Sequence, residues 1–369
     1  MKILRPNATH GIVNRATKTL FTYQAWPTVA QDENGTLYAV CSGFRIRHVD
    51  GYGKTVMYIS KNGGKTWTPP IIINDSYIDD RDVGILYLGE GKLLVSWFTR
   101  SPEEYSSQKH MDMIAKASPA GQKAIHAMTE AVTMLPEEDR LLGSYMMLSR
   151  DYGVTWEEPV SIPITAPHGP TLCKDGSLIY LGTEHRIPEM RIGPSKVQLY
   201  RSRDLGKTWT LESTIERPGW LQPGQKLCEP HVLELPDGRL LAAIRLEQPQ
   251  PFSIVTTVSE DGGKTWSEVT PTGVNGAPPH LMLHSSGALI CTFGRRVPPF
   301  GEYAMVSHDL GKTWTEEYVI DDNTDNRDLG YGSTLEMADG SLMSVYYQRC
   351  PGDDYPSILY TNWQLSPEV

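Results

Sequence analysis

Five copies of one eight-residue phrase organise this chain: Ser60–Trp67, Ser149–Trp156, Ser202–Trp209, Ser259–Trp266 and Ser307–Trp314. All follow Ser-x-Asp-x-Gly-x-Thr-Trp, except that Asn62 replaces the Asp in the first copy. The phrase has the chemistry of a hairpin tip. Its Asp carboxylate can accept backbone N–H groups of the turn, and its Gly supplies a positive φ. Its Thr restarts a strand, and its Trp buries a large apolar face between neighbouring repeats. Recurrence of this kind marks a repeat architecture, so the repeat has to be read before any single residue. Turn residues specify fold and say nothing directly about chemistry.

A second periodic feature lies upstream of each copy. Six β-prone runs end in a tight turn at Gly35, Gly91, Gly176, Gly238, Gly287 and Gly340, with spacings of 56, 85, 62, 49 and 53 residues. Each is followed by an apolar strand such as Leu93-Leu-Val-Ser-Trp-Phe98 or Leu240-Leu-Ala-Ala-Ile244. A glycine turn between two such runs is a hairpin signal. The expected fold is therefore all-β, a six-bladed β-propeller of four-stranded blades forming one domain over residues 1–369. Closing the array in a ring protects the strand edges that an open sheet would expose. Thr17–Tyr23 reads as the strand that closes the ring against Ser357–Tyr360.

The 85-residue spacing marks an insertion in blade two, from about 101 to 142. Ala, Met, Lys, Gln and Glu dominate there, and apolar residues recur at three and four, which predicts two short helices, over 111–117 and 122–135. They are placed above blade two, either as a pocket wall or as a packing or oligomer contact.

The net charge of −10 argues against a nucleic-acid or anionic-membrane partner, both of which favour a basic face. The five cysteines are dispersed, with no Cys-x-x-Cys pair, so free thiols are expected rather than disulfides or a zinc site. No stretch approaches a membrane span and the N-terminus lacks an apolar leader core, so the default expectation is a cytoplasmic protein, or a secreted one if a leader has been removed.

In a propeller the first residues of each innermost strand face the axis. Counting nine back from each turn glycine gives Trp26, Asp82, Pro167, Glu229, Pro278 and Tyr331. Neighbouring phrases add Arg81, His168, His231 and His280. Charged and ring-bearing residues at equivalent positions point to a pocket, since a core would bury Val or Leu there. The three histidines with Glu229 carry no ligand-spacing signature, so hydrogen bonds to a bound ligand are the preferred reading and no metal or organic cofactor is expected.

The Ser-x-Asp-x-Gly-x-Thr-Trp turns resemble the Asp boxes of the sialidase (neuraminidase) superfamily, six-bladed propellers many of which are exo-glycosidases. Two further phrases are similar to that family. Glu229 precedes Arg245 by 16 residues around an Asp-Gly turn, and Tyr331 stands nine residues before Gly340. The resemblance implies that Tyr331 is a nucleophile and Glu229 its base, acting on a carbohydrate. It places Arg245, and one of Arg295 or Arg296, in an arginine trio that grips the sugar. A phenol, with a pKa of about 10, needs such a base, and a neutral nucleophile avoids repulsion from an anionic sugar.

The chain also departs from the family. Where the family's first inner strand opens Arg-Ile-Pro, this one reads Ala25-Trp26-Pro27. Arg45 or Arg47 is the candidate to reach in from the next strand, and Trp26 the candidate to stack on a sugar face. The general acid is assigned to Asp50, with Asp82 as the other candidate. The resulting expectation is an exo-acting, retaining glycoside hydrolase for an anionic or hydroxyl-rich terminal sugar, sialic acid or a related glycone. The alternative is a carbohydrate-binding propeller without turnover.

Overall fold

A computed structural model describes residues 1–49, 51–100, 111–112, 114–115, 117–184, 196–248 and 251–366. Six antiparallel sheets follow one another around a ring. Blade one runs Tyr23–Gln31, Leu37–Arg45, Lys54–Ser60 and Ile71–Asn74 from axis to rim. Blade two is Asp79–Tyr87, Leu93–Arg100, Ser144–Ser149 and Val160–Ile162. Blade three has a broken inner strand, Ile164–Thr165 and Thr171–Leu172, then Leu178–Glu184, Val197–Ser202 and Thr210–Ile215. Blade four is Lys226–Glu234, Leu240–Glu247, Ser253–Ser259 and Thr270–Asn275. Blade five begins at His280–Leu283 and continues through Leu289–Arg295, Gly301–Ser307 and Glu316–Asp321. Blade six is Leu329–Glu336, Leu342–Gln348, Ser357–Trp363 and the chain's own Ala8–Asn14.

The closing strand is thus Ala8–Asn14, antiparallel to Ser357–Trp363. Its partner is the expected one, but Thr17–Tyr23 is not the closing strand. Thr22 donates its hydroxyl to the carbonyls of Thr17 and Thr19, which bends this segment into a turn before Tyr23 starts blade one. Lys2–Leu4 adds in parallel to the rim of blade five.

The second strand of each blade is buried on both faces, because a blade packs on either side. Leu240, Ala242 and Ile244 face the seam with blade three, while Leu241 and Ala243 face the seam with blade five. Such strands read as unbroken apolar runs rather than alternating ones. Each Asp-box Trp fills the seam toward the preceding blade: Trp156 toward blade one, Trp209 toward two, Trp266 toward three and Trp314 toward four. Blade six has no Asp box, and Trp363 takes the same role, donating Nε1–H to Ser344.

The box itself is a closed hydrogen-bond unit. In the third copy Ser202 donates to Asp204 (2.8 Å), Gly206 N–H donates to Ser202 (2.9 Å), and Thr208 donates its N–H and hydroxyl to the two Asp204 oxygens (2.9 and 2.6 Å). Two successive residues take the left-handed conformation, Leu205 (φ 60) and Gly206 (φ 87). In the first copy Asn62 keeps the frame: Oδ1 accepts from Ser60 and Thr66 N–H, and the amide donates to the Thr66 hydroxyl.

Of the two expected helices, the second is present as Pro119–Thr133, capped by Ser118, whose side chain accepts from Gly121 N–H. Part of the first falls outside the described residues. The helix buries Ile125 against Ile46 and Ile114, so it leans on the rim loop of blade one rather than on blade two alone.

Candidate active site

One backbone device aims the axial side chains. Trp26 (φ 58), Asp82 (φ 49), His168 (φ 70), Glu229 (φ 47) and Tyr331 (φ 56) all sit in the left-handed region, each at a break in inner-strand register. A non-glycine residue pays for this conformation in free energy, about 1–3 kcal/mol. Its recurrence at five blades, on ringed or charged residues, marks positions held for their side chains. In blade three the residue concerned is His168, one beyond the expected Pro167; in blade five Pro278 stands at the corresponding place.

Tyr331 and Glu229 come together as the spacing suggested. The phenol donates to Glu229 Oε1 at 2.9 Å, and Arg245 Nη1 donates to Glu229 Oε2 at 2.6 Å. Arg245 also pairs with Glu247 at 3.2 Å and stacks over Phe252. Burial alone would raise the Glu229 pKa, but the charge and hydrogen bond of Arg245, the Arg296 charge and the Tyr331 hydrogen bond together hold the carboxylate below its usual range. Burial, and then the Glu229 charge, push the Tyr331 phenol well above its ordinary value. The pair is therefore a neutral phenol hydrogen-bonded to a carboxylate.

Asp82 lies within electrostatic reach of both. Burial raises its pKa, the Arg81 guanidinium opposes this, and the Glu229 charge raises it further. Its Oδ1 is buried without a hydrogen-bond partner. Asp50 lies outside the described residues.

The arginines separate clearly. Arg296 faces the axis: Nε donates to Leu329 O (3.0 Å), Nη2 donates to the Tyr347 hydroxyl (3.2 Å), and the group lies over the Tyr331 ring at 5.4 Å. Arg295, its neighbour on the strand, points to the other face, where it pairs with Glu317 at 2.5 Å and covers Tyr303. Arg45 does not reach the pocket. It is 0 % exposed, bonded to both Asp79 oxygens and to Ser42. Arg81 shares Asp79, donates to His48 O and lies over the Trp26 ring at 4.0 Å, with Arg45 4.8 Å from the same ring. Trp26 is 1 % exposed and edged by His48, Tyr331 and Tyr347, which leaves no face for a sugar. It is a core residue carrying two guanidinium groups.

His168, His231 and His280 meet beneath Tyr331, with ring centroids 4.7–6.0 Å apart. Burial pushes all three pKa values down, to about 4 for His231. His231 Nδ1 accepts Leu281 N–H, and His280 Nδ1 accepts Thr334 N–H. Both rings therefore carry their proton on Nε2 and offer no lone pair to a cation at the axis. Thr28 donates its hydroxyl to Val83 O, so it accepts from His168 Nδ1 (3.3 Å) and leaves His168 Nε2 a buried acceptor without a partner. Among the described residues no group of three or more His, Cys, Asp or Glu is arranged to hold a metal ion.

Sequence reasoning missed a second layer. Asp328 accepts from Tyr23 (2.9 Å) and Tyr347 (3.1 Å) and faces His48 Nδ1 at 2.9 Å. His48, Tyr23 and Arg296 hold its carboxyl down to about 2 against the effect of burial. Glu302, wholly buried, lies against Gly332, where any Cβ would collide with its carboxyl group. Asp79, fully buried and bonded to Arg45 and Arg81, was missed likewise. A cavity of about 610 Å³ opens beside His48, walled by Tyr23, Asp328, Arg349 and the helix start at Ser118 and Gly121.

Comparison with known proteins agrees with this architecture. No curated protein matches the sequence. Among solved structures, a Dyadobacter fermentans protein of unknown function superposes with a TM-score of 0.76 at 21 % identity, covering 98 % of this chain and 100 % of its own. The NanB sialidase of Streptococcus pneumoniae gives 0.67 at 14 % identity, covering 96 % of this chain and 70 % of that one. An α-L-arabinofuranosidase of Fusarium graminearum gives 0.63 at 14 % identity, covering 97 % and 98 %. The BNR repeat-like domain profile matches residues 35–345, most of the ring, and the chain belongs to that family, on a six-bladed propeller of the sialidase type.

Proposed function

We propose that the protein is an exo-acting glycoside hydrolase that retains anomeric configuration through Tyr331. The observation that carries this is the Tyr331–Glu229–Arg245 chain of hydrogen bonds, 2.9 and 2.6 Å long, at the axis. In the first step the Tyr331 oxygen attacks the anomeric carbon while Glu229 takes the phenolic proton, so no free phenolate has to form. The bond to the leaving oxygen breaks as that oxygen is protonated. Asp82, whose carboxyl burial lifts to about 6, is the donor the described residues support. Water then attacks the glycosyl-tyrosine, its proton returning to Asp82 and the phenol regaining its proton from Glu229.

Two kinds of hydrolase on this fold, a sialidase and an arabinofuranosidase, support the reaction class. The second reading is a sugar-binding propeller without turnover, favoured by the engagement of Glu229 with Arg245, which weakens it as a base. Hydrolysis of a panel of aryl glycosides by wild type and Tyr331→Phe separates the two. Loss of at least a hundredfold in the variant is expected; turnover that survives it overturns the mechanism, and binding without any turnover favours the second reading.

A further inference from the structure

We infer that the axial site takes a neutral, hydroxyl-rich glycone, a pentose or hexose without a carboxylate, rather than a sialic or uronic acid. The inference rests on the reading above only in that the site holds a terminal sugar.

A sugar carboxylate entering a buried pocket gives up its hydration and has to recover it from unpaired guanidinium groups, whose fork bonds both oxygens at once. Among the described residues, four guanidinium groups lie at the axis or just beneath it, and three of them are already held by carboxylates. Arg45 and Arg81 share Asp79, and Arg245 lies between Glu229 and Glu247. Recruiting any of these to a ligand would strand a buried protein carboxylate in its place. Arg296 alone is bound only to neutral oxygens, Leu329 O and the Tyr347 hydroxyl. The Arg100 charge, at the end of the second strand of blade two, lowers the Asp82 pKa. The position where the resemblance places a first arginine is filled by Trp26, with no free face.

What the pocket floor offers instead is acceptors. Glu229 and Asp82 face the nucleophile, and Asp82 Oδ1 lacks a partner. Asp82 is 8 % exposed, so the deficit is not made good by bulk water. A buried acceptor without a partner is costly, and a ligand O–H group removes that cost. An incoming carboxylate brings no hydrogen for Asp82 Oδ1 and adds a negative charge beside Glu229. Hydroxyl donors fit the floor and an anion does not.

Calorimetric titration of the wild-type protein with free monosaccharides tests this without requiring turnover. The probes are L-arabinose, L-fucose, L-rhamnose and D-galactose against N-acetylneuraminic acid and D-glucuronic acid, each at low and high NaCl. At least one neutral sugar is expected to bind ten or more times tighter than either acid, with an affinity unchanged by salt. Arg296→Met is expected to weaken that neutral sugar less than tenfold. An acid that binds tighter, weakens with salt and loses more than a hundredfold in Arg296→Met overturns the inference and leaves the hydrolase reading standing. Neutral binding with no hydrolysis of the matching aryl glycoside does the reverse. Binding of none of the sugars overturns both.

Discussion

At the level of single residues, the pocket separates two carboxyl groups by environment, and this has a kinetic signature. Asp82 has to be protonated and Glu229 ionised for turnover. Burial raises the first and the Arg245 charge keeps the second low, so kcat/KM is expected to fall at acid pH as Glu229 takes a proton and again as pH rises through the Asp82 pKa. Asp82→Asn should lose roughly 10²- to 10⁴-fold on an aryl glycoside with a poor leaving group. It should stay near wild type on a 2,4-dinitrophenyl glycoside, whose departure needs no proton. Equal loss on both substrates would remove Asp82 from the acid role.

Glu302 makes a separate, thermodynamic prediction. It keeps its proton in the fold because burial pushes its pKa well up, whereas an unfolded glutamic acid ionises at about pH 4.3. The native state then binds the extra proton, and stability falls as pH rises, by about 1.4 kcal/mol per unit up to the folded pKa. Glu302→Gln lacks this dependence. In urea unfolding the variant should therefore gain on wild type as pH rises above 5. The buried neutral histidines favour the opposite trend, but they act equally in both proteins and cancel in the difference. A gap that stays constant with pH would show Glu302 to be ionised in the fold.

At the level of elements, the Asp box is a turn whose tolerance is displayed within the chain. Asn62 reproduces the acceptor contacts of Asp204 and exchanges one accepted hydroxyl bond for a donated one. Asp204→Asn is accordingly expected to cost well under 1 kcal/mol. Asp204→Ala, which leaves Ser202 and Thr208 without their acceptor, should cost about 1–3 kcal/mol in thermal or urea unfolding. These turns were legible because their chemistry is local: four neighbouring residues satisfy one another, so the pattern survives in sequence. The axial carboxylates Glu229 and Asp82 were legible through their fixed distance from a turn glycine. Asp328, Glu302 and Asp79 were not, because their partners come from other strands and other blades. His48, for example, meets Asp328 across 280 residues. Arg45 misled for the same reason: its spacing permits a reach to the axis, and only Asp79 in the next blade shows why it stays below.

At the level of the whole molecule, the ring was readable in outline because each repeat announces itself, and its closure was readable only approximately. Both Thr17–Tyr23 and Ala8–Asn14 are β-prone, and the turn made by Thr17, Thr19 and Thr22 decides between them. Removing residues 1–14 should expose the edge of Ser357–Trp363 and take Val13 out of the seam between blades six and one. The expected outcome is a melting temperature lower by many degrees and growth of large species in light scattering. Retention of wild-type melting would mean that blade six stands as three strands.

That closure also orders events in time. Ala8–Asn14 leaves the ribosome long before its partner, Ser357–Trp363. At roughly 5–20 residues per second the strand waits on the order of tens of seconds. During that interval it is a bare β-edge on a nascent chain, and any helper that shields it has to stay on it until Ser357–Trp363 has emerged.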